Sequence, residues 1–261
     1  MDLHNLLVFQ DLFNNDVFRD IEKTISRENL NKGAVAAKLI NKAEQLGLSG
    51  NIIRSYMIYT VAHQSNCVSY AVEKSGGKIG KSLYQAFCHD IELIEKLLLL
   101  KPSLLLDCDL LDDYEPTNIN QSTAFNLLVE NLDKAQTSKD KADVFINYYR
   151  TFGSGDMADY RAFRWDSDED SLVGIKHFET MKLQDLIGYE YQKQELLANT
   201  KAFVEDKPAN NVLLVGARGT GKSSGVKAVV NSFFDKGLRL VQLTIHRIGK
   251  AKMTDVKHLH I

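Results

Sequence analysis

The chain has 261 residues, 44% hydrophobic and 25% charged, the balance of a globular protein with one or two packed cores rather than of a disordered or collagenous chain. Its formal net charge of -2 supplies no global positive field for nucleic acid or an anionic membrane. Three cysteines, Cys67, Cys88 and Cys108, are odd in number, with no CxxC pair or histidine at metal-ligand spacing, and read as buried reduced thiols. Residues 1–5 lack the basic region and apolar run of a signal peptide, so the expected compartment is the cytoplasm.

In chain order, the apolar residues up to about Thr151 recur at helical spacing, which predicts an all-α region over residues 1–152. Stripes run through residues 35–46, 53–72 and 125–132. The clearest lies in 78–100, where Ile79, Leu83, Phe87, Ile91, Ile94 and Leu98 align and Lys81, Asp90, Glu92 and Lys96 fall away from them. Pro102 is expected to close that helix. The apolar stretch 97–111 is broken by Lys101, Pro102, Asp107 and Asp109, too short and charged to cross a bilayer. Residues 153–171, with Gly153-Ser154-Gly155 and the acidic run 166–170, read as an irregular linker. A second domain is then expected over residues 172–261. It has a short strand within 172–178, a helix over 189–204, and a buried parallel strand in Val212-Leu213-Leu214-Val215.

A glycine-rich loop follows directly. Gly216-Ala217-Arg218-Gly219-Thr220-Gly221-Lys222-Ser223 fits G-x-x-x-x-G-K-[ST] at every fixed position. Glycines let the backbone N–H groups close around a phosphate, and the next helix adds the positive end of its dipole. Lys222 is suited to the β- and γ-phosphates, and the Ser223 hydroxyl to Mg2+. The helix from Lys222 to about Asp235 presents Val226, Val229, Val230, Phe233 and Phe234 for packing, stops at Gly237, and leads to a second strand in 238–245.

Three other patterns carry less. Residues 75–82 also end in Gly-Lys-Ser but lack the first glycine and follow a helix end, so they read as a turn between helices. Asp166, Asp168 and Asp170 occupy the first ligand positions of a calcium loop, but Ser171 replaces its glycine and His177 its bidentate Glu. His258 and His260 have no evident third ligand.

The Gly-Thr-Gly-Lys ending of the loop, with Leu186-Ile187-Gly188-Tyr189-Glu190-Tyr191-Gln192-Lys193 upstream, resembles the AAA+ ATPases. The stretches 185–189, Asn199-Thr200, 210–214, 218–224 and Lys227-Ala228 through 237–240, together with Tyr160-Arg161-Ala162-Phe163-Arg164-Trp165, resemble a poorly characterised family of bacterial AAA-type ATP-binding proteins. The specific resemblance covers about residues 152–243. It implies an α/β P-loop NTPase core with a parallel sheet, preceded by the all-α domain. In that core residues 216–223 and Ser224 would contact ATP, Ser223 would hold Mg2+, and Ile187 and Gly188 would lie beside adenine. Such a core also needs a later strand ending in acidic residues, a sensor, an arginine finger and a lid. After Gln242 only Asp255 is acidic, and the sequence ends about 40 residues past the loop. The core is therefore expected to be incomplete, with hydrolysis dependent on the remaining elements. The expected partners are ATP and a protein docked on the helical domain, with a homo-oligomer left open and no membrane or nucleic acid indicated. The alternative is a non-hydrolysing interaction module with a vestigial nucleotide site. A P-loop GTPase is disfavoured because no Asn-Lys-x-Asp signature appears.

Overall fold

The computed structural model describes residues 3–28, 31–119 and 122–243. The chain is α/β, with a helical N-terminal region and a small mixed sheet. It divides into two compact units. One is Met1–Asp159 with Asp235–Gly237; the other is Tyr160–Phe234, resuming at Leu238.

The first unit contains α1 (Asp16–Ile25), α2 (Lys32–Leu46), α3 (Ile52–His63), α4 (Cys67–Ser75), α5 (Lys81–Leu98), α6 (Pro102–Leu106), α7 (Thr123–Lys134), α8 (Ser138–Phe152) and α9 (Asp156–Asp159). Asparagine sets many of the starts: Asn15, Asn31, Asn51 and Asn66 each accept a backbone N–H from the first turn of the helix that follows, meeting donors that the helix itself leaves unbonded. Asn66, with Ser69 returning the bond, therefore breaks the stripe at 53–72 into α3 and α4. The decoy Gly-Lys-Ser segment is the turn from α4, capped by Gly76, into α5. Pro102 starts α6 at a first-turn position, where its missing N–H is harmless.

Helix α8 packs against α4, α5 and α7, and α3 against α2 and α5. Tyr149 lies at the centre, fully buried beside Phe87, Phe145 and Tyr148. Its phenol donates to Val61 O at 2.7 Å, and burial pushes its pKa up. The cysteines depart from expectation: Cys67 is exposed at the head of α4, and Cys88 and Cys108 are half-buried.

Asp90 departs further. Expected on the polar side of α5, it has no exposed surface. Its carboxylate accepts from Leu7 N (2.9 and 3.0 Å to its two oxygens), Val8 N (2.7 Å) and Phe9 N (3.1 Å). Charge reads as solvent-facing along an isolated helix, but here three backbone donors replace the water.

In the second unit, β1 (Ala162–Asp166) and β2 (Ser171–Gly174) form an antiparallel hairpin with Phe163 opposite Gly174 and Asp166 opposite Ser171. Residues 153–171 are therefore not all irregular linker. Asp166 Oδ1 accepts from Asp168 N at 3.0 Å, so the acidic run caps a tight turn. Strand β3 (Leu240–Gln242) lies parallel to β1 on its other side, giving the order β2-β1-β3. The expected all-parallel sheet is thus a mixed one. Helices α10 (Glu190–Val204) and α11 (Lys222–Phe233) pack on each other.

The run Val212-Leu213-Leu214-Val215 does not form the expected buried strand. It is outside the sheet, and Leu213 and Val215 are 86% and 84% exposed. A central strand exists only with bonded neighbours and cover on both faces, and among the described residues nothing flanks this run as a paired strand. Among those residues no helix is long and apolar enough to cross a membrane.

Candidate functional site

The glycine-rich loop ends where α11 begins. Gly221 is the N-cap residue at φ 77, Gly219 stands at φ 85, and Lys222 opens the helix. Left-handed backbone at both positions is open to glycine and costs other residues about 1–2 kcal/mol. Among the described residues no side chain caps this helix end, so its first-turn N–H groups and the positive end of the dipole have no capping side chain at the loop. Helix α11 is anchored behind the loop by Gly225, Ala228, Val229, Val230 and Phe233, all buried. Val226, expected with them, is half-exposed.

Lys222 is folded onto the loop. Its ammonium donates to Gly216 O (2.8 Å), Ala217 O (2.6 Å) and the Thr220 hydroxyl (3.1 Å), and Thr220 in turn donates to Ala217 O (2.9 Å). Three donors on one ammonium thus meet three oxygens of the loop. The lysine stands where the loop closes, so a phosphate drawn to the N–H groups meets a cation already in place. Ser223 and Ser224 lie in the first turn of α11, and Arg218 is exposed on the loop.

The upstream element reaches the same place. A Cβ on Gly221 or on Gly225 would stand 4.0 Å from a methyl of Leu186, which puts residue 186 against the head of α11. Ile187, next in sequence, is 98% exposed. A Cβ on Gly188 would meet nothing within 4 Å among the described residues. Leu186 thus meets the head of α11, while Ile187 is open to solvent and the space around Gly188 is clear of the described residues. Lys193, the last residue of the stretch that resembles the AAA+ element, holds it by donating to Leu186 O (2.6 Å) and to Glu190 (2.7 Å). Asn199 and Asn210 bond reciprocally, the side-chain amide of Asn199 donating to Asn210 O (2.8 Å) and accepting from Asn210 N (2.9 Å). That pair ties the entry of the 212–215 run to α10.

Asp255, His258 and His260 lie outside the described residues.

The two glycines at the contact with Leu186 make opposite predictions. Gly225→Ala places its methyl in ordinary contact with Leu186 and Leu196 and should stabilise α11 by up to about 1 kcal/mol. Gly221→Ala forces a left-handed alanine and should cost about 1–2 kcal/mol. Thermal melting of the two variants decides, and the reverse order would refute this loop geometry.

Residues 158–258 match the model of a family described as a protein of unknown function, DUF815. No curated protein and no solved structure matches the chain.

Proposed function

We propose that this is an ATP-binding protein of the AAA type, which takes Mg-ATP on the loop 216–223. The observation that carries the reading is the meeting of two separate sequence features at the head of α11: the phosphate loop with its lysine, and Leu186 beside Gly221 and Gly225. Backbone N–H groups of residues 219–224 would hold the phosphates. Lys222 would neutralise the β- and γ-oxygens, the Ser223 hydroxyl would hold Mg2+, and Ile187 and Gly188 would border adenine. Mg2+ supplies charge neutralisation across the phosphates when bound. The loop fits these groups because it offers donors and one ammonium that is bonded to loop oxygens rather than to a carboxylate.

Hydrolysis requires a carboxylate to orient water and another to hold the metal, and this reading assigns neither. The competing interaction-module reading separates by thermal melting with and without millimolar Mg-ATP. A ligand at 100 times its Kd stabilises the folded state by about 2.7 kcal/mol, so the reading expects a rise of several degrees. An unchanged melting temperature would leave the loop vestigial.

A further inference from the structure

The stretch 186–189 turns sharply before α10. Gly188 stands at φ 81 and Tyr189, the N-cap residue of α10, at φ 57, two left-handed residues in succession. The first is open to glycine, but a tyrosine enters that region only against the clash of its Cβ with the backbone. Backbone of this kind persists where its surroundings over-determine it, and such places gather at ligand sites.

Upstream, the 3-10 turn Leu183–Asp185 packs against α11, and Leu186 N donates back to Leu183 O at 3.2 Å. Leu186 then meets the head of α11 at Gly221 and Gly225. Downstream, one residue of α10 holds both ends of the arch. The backbone N–H of Lys193 donates to Tyr189 O at 2.9 Å, and its ammonium donates to Leu186 O at 2.6 Å. Among the described residues no other side chain bonds to the backbone of 186–189. The lysine side chain is 14% exposed, whereas Glu190, its ion-pair partner at 2.7 Å, is 73% exposed. The covered ammonium is thus committed to the Leu186 carbonyl, and the carboxylate is a solvent-facing addition of the kind that contributes little. Between the tied ends lies Ile187, open to solvent.

We propose that Lys193 is a positioning residue for the nucleotide base, given that residues 216–223 with 187 and 188 form the ATP site proposed above. By tying Leu186 O to α10 it holds 186–189 in the bent form that borders the base. It therefore governs the part of the affinity that comes from the base, while Lys222 governs the part that comes from the phosphates. The ligand is then a nucleoside triphosphate selected by its base, as against any polyphosphate of the same length. The full chain is titrated calorimetrically with Mg-ATP and with Mg-tripolyphosphate, which carries the phosphates alone. The parent should bind Mg-ATP at least about tenfold more tightly than Mg-tripolyphosphate. Lys193→Met, which keeps the apolar stem and removes the donor, should weaken Mg-ATP about tenfold and leave Mg-tripolyphosphate within about twofold. Lys201→Met on the same helix, where the lysine is 60% exposed, should leave both within about twofold. In the parent labelled at isoleucine methyls, the Ile187 resonance should shift with Mg-ATP and stay in place with Mg-tripolyphosphate. Equal loss of both ligands in Lys193→Met makes the lysine a structural support of the whole unit, and unchanged Mg-ATP affinity gives it no part. Either result overturns the proposal, as does a parent that binds the two ligands equally or binds Mg-ATP with no shift at Ile187. A parent that binds neither ligand overturns the ATP reading itself, and the role of Lys193 falls with it.

Discussion

Lys222→Ala is expected to weaken Mg-ATP binding by about 10- to 100-fold, since each hydrogen bond from a charged donor contributes about 1.5–3 kcal/mol. The structure gives this variant a second effect. In the free loop the ammonium joins Gly216 O, Ala217 O and Thr220 Oγ1, so alanine removes the tie that shapes the loop as well as the cation. The Thr220 bond to Ala217 O remains and keeps part of the turn. Lys222→Arg retains the charge but replaces a compact ammonium by a broad fork, and should recover only part of the affinity. Titration with a fluorescent ATP analogue measures all three proteins. Equal affinity in the parent and Lys222→Ala would remove the loop from consideration as the nucleotide site.

The second large effect concerns the first unit. Asp90→Ala removes the acceptor from the N–H groups of Leu7 and Val8, which are part-buried, and of Phe9, which is buried, and a buried donor without an acceptor costs about 1–3 kcal/mol. A total of about 3–5 kcal/mol is expected, near the loss seen when one side of a buried charge arrangement is removed. In a unit of this size that corresponds to a fall in melting temperature of about 10 °C. Glu92 is exposed two residues further on, and Glu92→Ala should stay within about 0.5 kcal/mol. Denaturation of the two variants side by side separates a buried clamp from an ordinary surface carboxylate; matching stabilities would show that Asp90 faces water.

These residues also show what a single sequence exposes. The loop was legible because a phosphate cradle is a local device: eight consecutive residues hold the glycines, the lysine and the helix start. Helix starts at Asn15, Asn31, Asn51 and Asn66 are local in the same sense, each bond spanning two or three residues. Asp90 was not legible, because its three backbone donors lie 81–83 residues away and the one local contact, His89 Nδ1 at 3.1 Å, does not announce them. The hairpin over 162–174 was hidden by aromatics mixed with charge and by an acidic run whose first member caps the turn. For 212–215 the apolar composition is strand-like, but pairing belongs to two partners, and β1 pairs with β3 instead. The element beside the loop was read from resemblance, and its contact came from Leu186, one residue before the pair expected to matter.

The exposed run at 212–215 has a thermodynamic consequence for the loop it feeds. Leu240 N and Ile175 N are bonded to Arg161 O and Ala162 O and should exchange hydrogen slowly, whereas amides of a run that no described strand pairs exchange at low opening free energy. Residue 216 inherits that freedom on one side, while α11 holds the other. Ordering the run and ordering the loop are then coupled, and coupling between two binding events is reciprocal. On the proposed reading of the loop as a phosphate site, a chain that pairs with residues 212–215 would raise the affinity of residues 216–223 for phosphate, and a phosphate there would raise the affinity for that chain by the same factor.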